Sequence, residues 1–175
     1  MKKLLTLTAL AFALSACSTT STVDFGQKEK SYHSYTIRDL SQDHIPSDTR
    51  ALFTQYLNNE LTALGYTVGD DLDININIEN FNKGNRALRY WVGFGAGRAT
   101  SKIVTTLVDK ESGKIVGNIQ TDGMLAMGAF GGNSKDVLKR SAKDIAKKNC
   151  RIRYFEKREI IKILFSKNVL PNSYK

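Results

Sequence analysis

The alternation of apolar and polar residues from Leu72 to Glu79 constrains the fold of this chain more than any other feature. The apolar positions are Leu72, Ile74, Ile76 and Ile78, and the polar positions between them are Asp73, Asn75, Asn77 and Glu79. Side chains of a strand point alternately to opposite faces, so the pattern predicts a β-strand with one buried and one hydrated face. The polar side chains stand about 7 Å apart along the strand, which is too far for them to share one metal ion.

Two elements are predicted before this strand. Residues 34–40 form a short strand, and Pro46-Ser47-Asp48 marks the start of a helix. Apolar residues then recur every three or four positions as far as Leu64, which is the period of an amphipathic helix. Because a helix connects the two strands, we expect them to be parallel.

Three elements are predicted after it. Residues 100–109 and 115–121 are rich in β-branched residues and flank Glu111-Ser112-Gly113-Lys114, which predicts a hairpin with Gly113 in the left-handed conformation. A last helix begins near Asn133. Its predicted buried residues are Val137, Leu138, Ala142 and Ile145. The order β-α-β-β-β-α favours an α+β fold, a two-layer α/β sandwich with a four-stranded mixed sheet and two helices on one face.

The amino terminus has the pattern of an export signal. Lys2 and Lys3 precede an apolar run of 11 residues, Leu4 to Leu14. A membrane-spanning helix needs about 20 such residues, so the run is a signal segment. It ends in Leu14-Ser15-Ala16-Cys17, which resembles the lipobox of bacterial lipoproteins. An ordinary secretory signal beside a coincidental cysteine is the alternative.

The lipobox resemblance implies a lipid anchor at Cys17. In that family the cysteine sulfur receives a diacylglyceryl group, the peptide is cut before the cysteine, and the new amino terminus is acylated. One acyl chain holds a protein only marginally, whereas several attach it stably. Ser18, in place of an aspartate, suggests by the same resemblance sorting to the outer membrane. The covalent lipid is then the only cofactor expected.

The chain divides into four predicted parts. Residues 1–16 are the signal peptide, and residues 17–31, rich in Ser and Thr, are a lipidated flexible tether. Residues 32–148 form a single α/β domain, and residues 149–175 are a basic amphipathic tail. The tail is either a solvated end or a segment that presses the domain against an anionic surface.

The net positive charge is confined to the end of the chain. Lysine and arginine total 26 and aspartate and glutamate 17, but Met1–Leu138 holds 14 of each sign. Lys139–Lys175 holds 12 basic and 3 acidic residues. A neutral domain offers no electrostatic footprint for nucleic acid, which is therefore not an expected partner.

Two glycine-rich segments lie on either side of the predicted hairpin, at residues 90–97 and 123–132. A turn centred near residue 112 places Gly97 opposite about Ala126 and Gly93 opposite about Phe130. The two segments should therefore form one apolar patch that contacts a protein partner or a lipid. The candidate contact residues are Tyr90, Trp91, Gly93, Phe94, Gly95, Gly97, Met124, Met127 and Phe130. The alternative is that the glycines only permit bulges and tight packing of helix on sheet.

No catalytic motif is evident in the sequence. The glycine segment lacks the spacing of a dinucleotide-binding fingerprint and precedes a strand rather than a helix. The only histidines, His33 and His44, have no cysteine or paired carboxylate at ligand spacing. We therefore expect a non-catalytic protein without a metal, although a hydrolase that uses only carboxylates stays open.

The chain from Tyr35 to about Lys148 resembles a family of small bacterial lipoproteins described only as a domain of unknown function. The resemblance is carried by Leu64-Gly65-Tyr66, the alternating strand, Arg89-Tyr90 before the Gly-x-Gly-x-Gly segment, Asp109 to Lys114, and Phe130-Gly131-Gly132. It implies a fold similar to the amino-terminal domain of TolB and to the periplasmic domain of the curli-secretion lipoprotein. Those proteins assemble with envelope partners, which implies a periplasm-facing accessory or assembly subunit. A lipid- or amphiphile-binding module that uses the glycine-rich patch is the alternative.

Overall fold

One mixed sheet organises the part of the chain that the computed structural model describes, residues 17–24, 30–92, 96–125 and 133–149. The strands are β1 (Cys17–Asp24), β2 (Ser34–Asp39), β3 (Thr67–Val68), β4 (Leu72–Asn82), β5 (Ala99–Asp109) and β6 (Ile115–Leu125). The helices are α1 (Ser47–Ala63), α2 (Arg86–Trp91) and α3 (residues 135–149). The strand order across the sheet is β1-β6-β5-β4-β2-β3.

The predicted pairings are present. Strand β2 is parallel to β4, as expected for strands joined by the α1 crossover. The β5–β6 hairpin is antiparallel, with Leu125 opposite Ala99 and Gly117 opposite Leu107. This is the predicted register, and Gly113 has the expected left-handed φ of 68°. The ends of both hairpin strands therefore lie where the sequence places them.

The main core lies between the sheet and the two longer helices, and a second, smaller cluster contains Ala99, Leu125 and Val137. Helix α1 buries Phe53, Leu57 and Leu61, which recur every four residues along one face. The four apolar residues of β4, from Leu72 to Ile78, belong to the same buried cluster. Helix α3 contributes Leu138, Ala142, Ile145 and Ala146 to it. The mixed α+β class and the predicted buried face of β4 are confirmed.

The predicted number of elements is wrong, because the sheet has six strands rather than four. The sequence predicts a flexible tether over residues 17–31, whereas the structure pairs residues 17–24 of it as β1 against β6. These residues are rich in serine and threonine, and threonine suits an edge strand, but they lack the apolar alternation that signals burial. Strand β3 has only two residues and α2 only six, so neither gives a periodic signal.

Strand β1 is attached to the domain by more than its pairing with β6. Ser21 donates a hydrogen bond from its hydroxyl to the Asp144 carboxylate on α3. Lys148 donates from Nζ to the Ser21 carbonyl oxygen at 3.1 Å. Val23 packs against the core. Residues 17–24 are therefore a structural part of the domain, while residues 1–16 and the tail after Asn149 lie outside the described residues.

A buried carboxylate connects the segment that precedes β2 to the β5–β6 turn. Asp109 is 4% exposed. Its carboxylate lies 2.8 Å from Lys30 Nζ and accepts hydrogen bonds from the Ser112 backbone N–H at 2.9 Å and the Tyr32 hydroxyl at 2.8 Å. The Lys30 ammonium, followed by the Ser112 N–H, holds the pKa of Asp109 far below its usual value. Burial, together with the Asp109 hydrogen bond, raises the pKa of Tyr32 to about 12.

Replacing Asp109 by asparagine is expected to lower the free energy of unfolding by about 1–3 kcal/mol at pH 7, since charge-assisted hydrogen bonds to a buried group are lost. A carboxyl group with a depressed folded pKa stabilises the fold above its unfolded pKa and loses that contribution as pH falls. The gap between wild type and Asp109→Asn should thus be constant above about pH 5 and narrow below about pH 4. Urea unfolding of the mature wild-type and Asp109→Asn proteins across this pH range measures the difference in their free energies of unfolding.

Asp70→Asn is the matched control for this test. Asp70 pairs with Lys110 nearby, but its side chain is 80% exposed. An exposed ion pair contributes at most about 1 kcal/mol. If both variants lost equal stability, or if the Asp109→Asn gap did not change with pH, the stabilising role of the buried carboxylate would be refuted.

Candidate functional site

The sheet has one end at which β1 and β5 begin and β4 and β6 finish. We call this end, defined by Cys17, Leu125, Ala99 and helix α2, the anchor end. Leu125 is the pairing partner of both Cys17 and Ala99, so the three residues form one row across the sheet. Neighbouring strands are about 4.8 Å apart, which puts the Cα of Cys17 about 10 Å from that of Ala99. The predicted lipidation site therefore lies beside the β4–β5 connection.

Helix α2 lies within that connection and is held by capping contacts. The Asn85 side-chain oxygen accepts a hydrogen bond from the Leu88 N–H at 3.2 Å, which caps the first turn. The Asn85 N–H donates to the Gly97 carbonyl oxygen at 2.9 Å. Val92 ends the helix by donating its N–H to the Leu88 carbonyl oxygen at 3.0 Å. The helix is thus hydrogen-bonded to the segment that leads into β5.

Two glycines permit this close approach. Gly84 and Gly97 have φ values of 62° and 63°, in the region that side chains disfavour. A Cβ at Gly84 would lie 2.3 Å from the carbonyl oxygens of Gly97 and Arg98. A Cβ at Gly97 would lie 2.4 Å from the Asn85 carbonyl oxygen. Backbone packing therefore fixes the position of α2 against the sheet.

Helix α2 presents an exposed apolar face. Leu88 is 45% exposed, Trp91 80% and Val92 54%. The three residues are spaced i, i+3 and i+4, so they lie on the same side of the helix. An exposed cluster of large apolar residues beside polar surroundings is typical of a contact surface. We call Leu88, Trp91 and Val92 the apolar face of α2.

The segment that carries this face is also basic. Between residues 83 and 98 the charged residues are Lys83, Arg86, Arg89 and Arg98, with no acidic residue. The preceding acidic residue, Glu79, is paired with Lys102 at 2.8 Å, and this pairing raises the pKa of Lys102. Glu79 is therefore engaged by a lysine outside the segment. A basic segment with exposed aromatic and aliphatic side chains matches an anionic, partly apolar surface.

The structure brings several predicted contact residues to the anchor end. Trp91 lies on α2, Gly97 contacts the helix start, and Met124 pairs with Ser18 and Thr100. Tyr90 lies in α2. Gly93, Phe94, Gly95, Met127 and Phe130 lie outside the described residues. Sequence reasoning missed Leu88 and Val92, although their spacing from Trp91 is a helical signal.

The packing alternative for the glycines also has support. Gly97 carries a backbone contact, and a Cβ at Gly123 would lie 2.7 Å from the hydroxyl oxygens of Ser101 and Ser141. Close packing therefore explains why glycine occupies both positions, without a role in binding a partner. The contact hypothesis then depends on the apolar face of α2 rather than on glycine as such.

A groove between β2 and α1 has a volume of about 770 Å³. Arg50 lines it, with Nε 3.7 Å from the Asp39 carboxylate. Tyr35 donates its hydroxyl to the Asn58 side-chain oxygen at 2.6 Å. These side chains can hydrogen-bond a polar ligand or an extended peptide, and no sequence motif marked them. The groove forms because α1 crosses back over β2.

The described residues contain neither a metal-binding cluster nor a membrane-spanning helix. Within the described ranges, no three His, Cys, Asp or Glu side chains converge as a metal site requires. No helix among them is long and apolar enough to cross a membrane. His44 lies with Nε2 3.2 Å from the Glu79 carbonyl oxygen, and His33 donates its backbone N–H to Asp71.

Several solved structures are similar to this chain at low identity. A DUF330 protein from Xanthomonas campestris has a TM-score of 0.54 at 6% identity, over 77% of this chain and 92% of that chain. PelC from Paraburkholderia phytofirmans, solved as a dodecamer, has a TM-score of 0.48 at 10% identity, over 72% and 96% of the two chains. A minor lipoprotein from Acinetobacter baumannii has a TM-score of 0.37 at 13% identity, over 73% and 95%. The first of these likenesses shows a shared fold and nothing about activity.

The family of this chain is known from its sequence. No curated protein matches it. The family model described as Domain of unknown function (DUF4410) matches residues 27–129, which is more than half of the chain and contains the apolar face of α2. The likeness to TolB and to the curli-secretion lipoprotein stays a prediction. The expected kinship with a family of unknown function is confirmed, and the chain belongs to the DUF4410 family.

Proposed function

We propose that this protein is an outer-membrane lipoprotein that faces the periplasm and serves as a non-catalytic accessory or assembly subunit of an envelope complex. Acyl chains on Cys17 attach it to the membrane. The observation that carries this proposal is the position of Cys17, which ends the lipobox-like tetrad and is also the first residue of a paired strand. The proposed anchor thus joins directly to the folded sheet.

An unpaired sheet edge supports the role in assembly. Strand β3 pairs only with Ser34 and Tyr35. Among the described residues, β2 from Thr36 to Asp39 has no neighbouring strand on that side. An open edge can accept an extended segment of another chain through backbone hydrogen bonds. The groove beside α1 would accommodate that segment's side chains.

Photo-crosslinking in cells tests this role. A photoreactive amino acid at Val68, which is 75% exposed on β3, is expected to capture an envelope protein. The matched position is Ile115, which is 59% exposed on β6, four strands across the sheet from β3. Capture should be strong at Val68 and weak at Ile115. Recovery of monomer alone from both positions, or equal capture at both, would count against an assembly subunit that uses this edge.

The second candidate function is a lipid- or amphiphile-binding module. The apolar face of α2 favours it, because Trp91 is 80% exposed at the anchor end. A single helix face is better suited to a flat lipid surface than to enclosing a ligand. If the mature protein bound a soluble lipid analogue saturably, that result would support an enclosed lipid-binding site and not contact with a flat lipid surface.

A further inference from the structure

We propose that α2 is a second membrane contact: Leu88, Trp91 and Val92 insert among the lipid headgroups of the leaflet that holds Cys17, and the surrounding cations face anionic headgroups. This inference rests on the proposed acyl anchor and goes beyond it, because it assigns an orientation to the domain. The sheet would stand with its anchor end on the membrane and the β5–β6 turn directed away.

The first step is that no flexible segment separates the proposed anchor at Cys17 from the folded sheet. Cys17 pairs with Leu125 as the first residue of β1. The Ser21 contacts with Asp144 and Lys148 fix the same strand to α3. A flexible linker would allow the domain to sample every orientation. A paired strand holds the anchor end of the sheet at the membrane surface instead.

The second step is distance. Acyl chains lie in the hydrocarbon region, so the Cys17 backbone must lie at the level of the headgroups. Ala99 is two strands away, about 10 Å from Cys17. Helix α2 precedes Ala99 in the β4–β5 connection and is hydrogen-bonded through Asn85 to Gly97. Because Cys17 and Ala99 belong to one row across the sheet, a sheet that stands on its anchor end holds both at the same height above the membrane, within reach of the roughly 5–10 Å to which an amphipathic helix buries its apolar side.

The third step is chemical match. Tryptophan prefers the membrane interface, because its ring is apolar and its N–H can bond to water or headgroups. Leu88 and Val92 share the exposed side of the helix with Trp91. The lysine and arginines between residues 83 and 98, with no acidic residue among them, complement anionic lipids. Both the apolar and the charged components therefore favour a lipid surface over water.

Trp91 is the only tryptophan in the chain, so its fluorescence tests the proposal directly. The acylated full-length mature protein is reconstituted into vesicles of phosphatidylethanolamine and phosphatidylglycerol. The emission of Trp91 should shift to shorter wavelength, and brominated lipids should quench it. Acrylamide should quench Trp91 less in the vesicles than in the protein unfolded by denaturant without detergent. Quenching by brominated lipid should weaken when neutral phosphatidylcholine replaces phosphatidylglycerol.

The matched control moves the tryptophan to the other end of the sheet. The double variant Trp91→Phe/Ile115→Trp carries its indole at an exposed position about 34 Å from the anchor end. Brominated lipid should leave this variant unquenched at the same protein density. Equal quenching in the two proteins would overturn the proposed orientation.

The remaining outcomes separate this inference from the proposed function. If mass spectrometry finds acyl chains but Trp91 stays open to acrylamide and unquenched by lipid, the α2 contact is wrong and the anchor stands. A blue shift without lipid quenching, or one that depends on protein density, places Trp91 against protein and also overturns the contact. If no acyl chain is found, the proposed function fails, and the inference fails with it.

Discussion

Replacing Cys17 by serine is expected to abolish incorporation of labelled palmitate completely and to leave a precursor about 16 residues longer than the mature chain. A serine hydroxyl cannot form the thioether that carries the diacylglyceryl group. In the lipoprotein family that the tetrad resembles, cleavage follows this modification, so the signal segment should remain attached. The variant should also leave the outer-membrane fraction in a density gradient.

Cys150→Ser is the matched control, since the chain has only two cysteines. That variant should incorporate label, be processed and fractionate like the wild type. Palmitate in the Cys17→Ser protein, or its continued presence in the outer-membrane fraction, would refute the lipobox assignment. Loss of label in Cys150→Ser would show that the label reports something other than the proposed anchor.

Local patterns predict most of the central sheet. The alternation from Leu72 to Ile78 specifies β4, because a slip of one residue would expose its whole apolar set. The turn at Gly113 specifies the register of β5 and β6, because the residues on either side must then pair in sequence. That register carries Ala99 to the end of the sheet and thereby locates α2 and Trp91 there.

The missed elements depend on long-range contacts. Strand β1 forms where β6 offers an open edge and α3 offers partners for Ser21, and neither condition is visible within residues 17–24. Helix α2 is shorter than two turns, and its cap at Asn85 depends on Gly97, twelve positions later. The groove beside Arg50 exists only because α1 crosses β2. Each of these features follows from the assembled fold rather than from a local pattern.

The candidate site was only partly predictable for the same reason. The lipobox resemblance predicts lipidation at Cys17 from four adjacent residues, and the hairpin register brings Trp91 near one end of the sheet. The sequence does not show that both lie at the same end of the sheet, because it predicts a flexible segment after Cys17. Strand β1 pairs from Cys17 onward, so the proposed anchor would be attached without a flexible segment, and the proposed contact of α2 with the membrane depends on this attachment.

Replacing Gly123 by valine is expected to lower the free energy of unfolding by roughly 3 kcal/mol or more, at the upper end of overpacking effects. A Cβ at Gly123 would lie 2.7 Å from the hydroxyl oxygens of Ser101 and Ser141 and 2.8 Å from Val137 Cγ1. Helix α3 must therefore move away from the sheet. The 3.2 Å hydrogen bond between the two serines would break, and the core contacts of Leu138 would loosen.

Asp122→Val controls for the effect of valine on strand β6. Asp122 is the exposed neighbour of Gly123 on the hydrated face, so its replacement should change stability by only about 0.5 kcal/mol. Urea unfolding of the three mature proteins gives the comparison. Equal midpoints for Gly123→Val and Asp122→Val would contradict the proposed close packing of α3 on the sheet.

A double-mutant cycle locates the clash. Gly123→Ala should cost about 1–3 kcal/mol through the same contacts. Adding Ser141→Ala removes one of the two hydroxyl oxygens that lie 2.7 Å from the new Cβ. The double variant should then be more stable than the sum of the two single losses predicts, by about 0.5 kcal/mol or more. Strict additivity would mean that the strain of Gly123→Ala arises within β6 and not between β6 and α3.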